Sequence, residues 1–164
     1  IVPRFGKSRQ GNGGVAAGLN FWQWNARAKA AGMHELLSVK TMLAELGVAE
    51  PPPLLGWTFT EATAEAKHDA VVRFLDTSFA AKEVLLTDDT AWENLTGLMG
   101  AEDDAALFAQ LRDDYRAGIV SSYNPEDTSA AEQTFALLAR FGGSEVVGEG
   151  QELLPGTFWP GYRK

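Results

Sequence analysis

Residues 18–27, with the sequence Gly-Leu-Asn-Phe-Trp-Gln-Trp-Asn-Ala-Arg, combine the side-chain types best suited to holding a small molecule. Aromatic faces provide a large rigid contact area, and amide groups and indole N–H groups provide directional hydrogen bonds. The segment therefore predicts one wall of a ligand site. Packing of the same aromatic residues into a core is the alternative. In a strand, Trp22 and Trp24 would share one face and Phe21 and Gln23 the other, so one face could be core and the other site.

The composition excludes several classes of function. The chain of 164 residues has no cysteine, which removes disulfides, thiolate metal sites and cysteine nucleophiles. Its net charge of −8 argues against a nucleic-acid partner. Its 45% hydrophobic and 22% charged content is typical of an ordinary globular domain. No run approaches the roughly 20 apolar residues that a membrane helix needs.

No motif of the chain predicts catalysis, a cofactor or a metal. Residues 11–16 fit a degenerate GxGxxA dinucleotide fingerprint, but a polar segment precedes them where an apolar strand is required. The acidic pairs 88–89 and 103–104 fall at predicted helix starts, where carboxylates cap free N–H groups. The two histidines, His34 and His68, lie far apart. We therefore expect a protein that is not an enzyme.

The pattern along the chain places strands early and helices late. Residues 15–21 and 54–59 are strand candidates, and a helix is predicted from Trp24 to a stop at Gly32. From Glu61 onward the apolar residues recur at helical spacing, most clearly over residues 70–86. An isolated sheet of two or three strands is marginal. The early strands therefore look like parts of a sheet whose other strands lie outside this sequence.

An ordered set of segments resembles the C-terminal half of a family of periplasmic substrate-binding proteins of ABC transporters, the nitrate/sulfonate/taurine and thiamine-precursor class. No one segment is a strict signature, but together they cover roughly residues 15–162. The segments are residues 18–27, Lys29–Met33, Pro53–Phe59, Phe74–Leu75 through Ala80–Lys82, Tyr115–Ile119 and Pro155–Pro160.

The resemblance implies an α/β fold of the type II periplasmic-binding-protein kind, here a helix-rich C-terminal portion with few strands. Residues 1–50 would be the partial end of a second lobe, residues 51–60 a crossover or hinge strand, and residues 61–164 the helical C-terminal part of the first lobe. An N-terminal half would be missing from this chain and would be one of its partners.

The resemblance also implies a function. The protein would be the periplasmic solute-binding component of an ABC importer, capturing a small polar organic or anionic ligand and delivering it to a membrane permease. The alternative is a helical protein-interaction module with the aromatic cluster as its core. The residues carried over as ligand-binding are Asn20, Phe21, Trp22, Trp24 and Asn25, with Trp57 near the hinge as a weaker candidate. The chain departs from the family pattern at residues 11–17, which are glycine-rich and lack the usual acidic residue.

Overall fold

A computed structural model describes residues 17–53 and 55–164 of the chain. Within these ranges 58% of the residues are helical and none is in a strand. The glycine-rich fingerprint candidate at residues 11–16 lies outside them. The helices are α1 (Trp22–Ala30), α2 (Val39–Glu45), α3 (Glu61–Ala66), α4 (His68–Thr87), α5 (Thr90–Glu93), α6 (Thr96–Met99), α7 (Ala105–Ala117), α8 (Pro125–Gly142) and α9 (Ser144–Val147).

The absence of strands in the described ranges contradicts the predicted α/β fold. Residues 17–21 and 55–59, which carry the strand pattern, have irregular backbone instead. Strand propensity alone does not form a strand, because its N–H and C=O groups need a paired neighbour. Phe21 keeps an extended backbone (φ −68°, ψ 156°), but it acts as the N-cap of α1.

The early start of α1 changes which aromatic residues share a face. The helix begins at Trp22, whereas the sequence predicted a start at Trp24. Residues two apart on a helix are separated by about 200°, so Trp22 and Trp24 point in different directions. The shared face expected for a strand is therefore wrong, and the two tryptophans have separate surroundings.

The described chain divides into two compact units. Unit 1 comprises residues 17–36 and Glu83–Ile119, and unit 2 comprises residues 37–53, 55–82 and Val120–Lys164. The predicted boundaries at residues 50 and 60 stay a prediction. Among the described residues, none of the helices combines the length and the apolar character that crossing a bilayer requires.

Unit 1 is built on the packing of α1 against α7. Its core contains Ala26, Ala101 and Leu111, of which Ala26 is fully buried. Small residues on α1 allow the two helices to approach closely. The Nζ of Lys29 on α1 lies 3.2 Å from a carboxylate oxygen of Asp114 on α7, which fixes the same pair of helices from the polar side.

Unit 2 is held together by aromatic contacts that the C-terminal segment makes. The ring of Trp159 lies edge-on to Phe59 at 5.2 Å, and the ring of Tyr162 stacks on Phe79 at 6.0 Å. The backbone of Tyr123 also exchanges two 2.8 Å hydrogen bonds with that of Lys164. The C-terminal segment, which includes the apolar residues 153–160, therefore packs back on the body of this unit.

Candidate functional site

The predicted binding segment lies at the start of α1, where its polar groups form hydrogen bonds that stabilise the N-terminus of the helix. The backbone carbonyl of Phe21 accepts from the N–H groups of Trp24 and Asn25 at 3.0 and 3.1 Å. The Asn25 side-chain amide donates to the backbone carbonyl of Asn20 at 3.2 Å. The buried side-chain NH₂ of Asn20 has no hydrogen-bond partner among the described residues. One of the two asparagines therefore has a structural role, and the other holds an unused donor.

The aromatic members of the segment differ in exposure. Phe21 is 75% exposed and Trp22 is 46% exposed, whereas Asn20, Trp24 and Asn25 are half-buried. Large aromatic side chains in a finished core are normally well buried. The segment thus presents two aromatic surfaces to the outside next to amide groups.

Trp22 borders a concavity of about 400 Å³ that lies wholly within unit 1. Three of its lining side chains are aromatic and form a chain of edge-to-face contacts. The ring centroid of Tyr115 lies 5.6 Å from that of Trp22 and 5.4 Å from that of Trp92. Trp92 is 4% exposed, and its indole N–H donates to the backbone carbonyl of Leu85 at 2.7 Å. These contacts fix the aromatic wall.

Two polar residues of α1 reach the same concavity. Gln23 and Arg27 are four residues apart, so they lie on one face of the helix. The Arg27 guanidinium donates to the backbone carbonyl of Met99, which holds it against the neighbouring helix α6. The concavity is therefore mostly apolar, with one amide and one cation at its edge.

The ionic groups around this site stabilise the helices that form it. Partial burial alone would lower the pKa of Lys29, but its hydrogen bonds to Asp114 and Glu35 outweigh that effect and raise it. The hydrogen bond from Arg116 lowers the pKa of the Asp89 carboxyl, whose oxygen lies 2.7 Å from the guanidinium. These carboxylates are engaged by cations.

Trp57, the weaker predicted site residue, belongs to unit 2. Its indole N–H donates to Ser78 Oγ at 3.1 Å, and its ring lies edge-on to Phe74 at 4.9 Å. It is nevertheless 60% exposed. Its contacts are those of a side chain that pins an irregular segment onto α4.

Sequence reasoning did not assign four lining residues of this concavity to the site, namely Gln23, Arg27, Trp92 and Tyr115. The helical spacing of Gln23 and Arg27 would have indicated a shared polar edge if α1 had been started at Trp22. No comparable signal links Trp92 and Tyr115 to Trp22, because the chain brings them together over 70 residues or more.

The geometry offers no metal-binding arrangement in residues 17–53 and 55–164. No group of three or more His, Asp or Glu side chains there could hold a metal ion. Asp104 accepts from the backbone N–H of Leu107, and Asp88 accepts from that of Thr90, which are the capping contacts predicted for the acidic pairs.

No protein-family model matches this chain, and no curated protein sequence reaches a significant match to it.

Proposed function

We propose that this protein acts by non-covalent binding, as a solute-binding component that captures a small polar organic or anionic ligand and delivers it to an ABC permease in the membrane. The proposal places the protein in the periplasm and assigns it no chemical step. The class of ligand and the importer partner come from the resemblance of the ordered segments, and the local geometry of unit 1 supports the binding role.

The observation that carries the proposal is the exposure of two aromatic rings beside half-buried asparagine side chains. Phe21 is 75% exposed and Trp22 is 46% exposed, and Asn20 stands next to them with a side-chain NH₂ that has no partner in the described residues. Ligand sites combine apolar and aromatic walls with a few placed polar groups. This arrangement does not need an α/β cleft, because all of these residues lie in unit 1.

A helical protein-interaction module is the second candidate, and exposed aliphatic residues favour it. Leu36, Leu98 and Leu154 are 85%, 88% and 76% exposed. Exposed apolar residues mark interaction sites where they form a contiguous patch. These residues occur in both units, however, whereas the two exposed aromatic rings and the two asparagines lie together at the start of α1.

Isothermal titration calorimetry of the purified chain with taurine, an alkanesulfonate, nitrate and a thiamine-precursor pyrimidine tests the proposal. We expect saturable heat with one member of this panel. The Phe21→Ala variant should bind that ligand at least about fivefold more weakly, which corresponds to the loss of about 1 kcal/mol of aromatic contact. Because Phe21 is exposed, the thermal midpoint of the variant should stay that of the parent chain.

Leu154→Ala is the matched control, because Leu154 is 76% exposed and lies in unit 2. It should leave the affinity unchanged. Equal losses for the two variants would place the ligand away from the start of α1. A chain that binds no member of the panel and self-associates through Leu36 and Leu98 would favour the interaction module.

A further inference from the structure

We infer that the concavity of unit 1 binds an aromatic carboxylate, with its ring against Trp22, Trp92 and Tyr115 and its carboxylate at Arg27. This inference rests on the proposed function, since it names the class of ligand that the same unit would take.

The shape and lining of the concavity favour a flat apolar body. Its volume of about 400 Å³ falls in the range of small-molecule sites. Trp22 and Tyr115 meet edge to face, and so do Tyr115 and Trp92. Leu111 contributes aliphatic surface beside these rings. A ligand ring can make offset or edge-on contacts with such a wall.

The charge at the edge of the concavity favours an anion. The other two described arginines of unit 1, Arg112 and Arg116, both pair with Asp89 at 3.6 and 2.7 Å. Arg27 differs, because no carboxylate of the described residues lies within 4.0 Å of its guanidinium. The Arg27 guanidinium donates to the Met99 carbonyl, and this hydrogen bond positions the guanidinium. Its other N–H donors are available to a ligand. A carboxylate matches that fork with two parallel hydrogen bonds.

The amide of Gln23 adds a second donor on the same helix face, one turn before Arg27. An aromatic ring bearing a carboxylate would therefore meet an apolar wall and a cationic edge at the same time. A neutral aromatic compound would contact only the apolar wall, and a small aliphatic anion would bind only at the cationic edge.

Fluorine NMR of the full chain with three related compounds tests the inference. 4-Fluorobenzoate should show saturable line broadening. 4-Fluorobenzamide, which has the same ring without the charge, should bind at least about tenfold more weakly, since it loses charge-assisted hydrogen bonds. Trifluoroacetate, an anion without a ring, should show no saturation over the same range. Equal binding of the benzoate and the benzamide would overturn the assigned anion anchor, and equal binding of the benzoate and trifluoroacetate would overturn the aromatic wall.

Two variants locate the ligand. Arg27→Gln should weaken 4-fluorobenzoate about tenfold or more. Arg140→Gln is the matched control, because it removes the same charge from unit 2, where the Arg140 guanidinium lies over the ring of Phe141, 5.0 Å from its centre. The Arg140→Gln variant should bind 4-fluorobenzoate with the affinity of the parent chain. Equal effects of the two substitutions would show that the anion follows general charge and would overturn the site.

Leu98→Glu provides a variant that leaves the packing alone, because Leu98 lines the concavity and is 88% exposed. The added carboxylate should repel the ligand and weaken binding, while Leu55→Glu, at a 91% exposed position of unit 2, should not. Unchanged binding in Leu98→Glu would place the ligand elsewhere. If a member of the calorimetry panel binds and Phe21→Ala weakens its binding, while 4-fluorobenzoate does not bind, the inference fails and the proposed function stands. If no compound binds, both fail.

Discussion

Trp22 in unit 1 and Trp57 in unit 2 resemble each other in sequence role and in exposure, but their hydrogen bonding differs. Both were predicted ligand-binding residues, and they are 46% and 60% exposed. Each lies edge-on to a second aromatic ring, Tyr115 in one case and Phe74 in the other. The Trp57 indole N–H donates to Ser78, whereas that of Trp22 has no partner among the described residues.

This difference in hydrogen bonding distinguishes a tryptophan that stabilises the fold from one that is available to bind a ligand. When the indole N–H of a tryptophan has an acceptor and its ring packs on a helix, both the N–H and the ring stabilise the fold. A tryptophan that keeps its N–H and borders a concavity has one face and one donor left for a ligand. Trp22 meets the second description, so unit 1 is the part of the chain in which we place binding.

The largest expected effect on stability is that of replacing Trp92, which lines the same concavity as Trp22. Trp92→Ala should reduce the free energy of unfolding by about 3–5 kcal/mol, because the substitution leaves a cavity and removes an indole that donates to Leu85. Urea denaturation followed by circular dichroism measures this loss. Trp57→Ala is the comparison in unit 2, and its loss should be smaller since that side chain is 60% exposed. Equal losses would mean that exposure does not distinguish the two tryptophans.

In unit 2, Tyr162 is 8% exposed, and its hydroxyl donates to the Asp76 carboxylate at 2.8 Å. Tyr162→Phe should lower the free energy of unfolding by about 1.5 kcal/mol, because it removes a hydrogen bond to a charged acceptor. The same denaturation experiment measures the change. No loss in this variant would show that the hydrogen bond to Asp76 does not help to attach the tail.

The pH dependence of unit 2 follows from the same residue. Burial, and then the hydrogen bond to Asp76, raise the pKa of Tyr162 from 10.0 to about 12. The folded state therefore favours the neutral phenol, and this contribution to stability is complete below pH 10.0 and disappears as the pH rises towards about 12. Denaturation midpoints at about pH 9 and about pH 11.5 should differ less in Tyr162→Phe than in the parent chain. An identical difference in both chains would assign the alkaline loss to other groups.

Removing an ion pair should have a smaller effect on stability, and this effect should differ between the two units. Lys29→Met should cost about 1 kcal/mol, because its ammonium joins α1 to α7 between two carboxylates. Lys40→Met, which removes an exposed 3.8 Å pair with Glu50 in unit 2, should cost almost nothing. Thermal midpoints at low and high salt measure both. Matching shifts would show that the Lys29 contacts are screened like those of a surface pair.

Local signals in the sequence predicted helix starts in part. The acidic pair at residues 103–104 was predicted to cap a helix, and Asp104 caps α7. At α8, Asn124 is the N-cap with a capping box, and Pro125 follows at the first turn. A search for apolar spacing alone does not find that start, because the cap consists of polar residues and proline.

The candidate site could be predicted only in part. The side-chain types of residues 20–25 indicated binding, but the α/β fold inferred from a resemblance was wrong for the described residues, since strand patterns without pairing partners stayed irregular. The concavity depends on Trp92 and Tyr115, which come from other helices and are placed by tertiary packing. No spacing within one segment carries that information.

The smallest expected effects test the comparison between the two tryptophans most directly. Trp57→Phe keeps the ring contact with Phe74 and removes the bond to Ser78, so it should cost about 0.5 kcal/mol at this exposed position. Trp22→Phe removes an indole N–H that has no partner in the described chain, so stability should change by less than about 0.5 kcal/mol. Ligand affinity should respond in the opposite order, falling in Trp22→Phe and staying constant in Trp57→Phe. If both variants lose stability alike and neither changes binding, the free N–H of Trp22 marks no site, because a donor available to a ligand must contribute to its affinity when it is used.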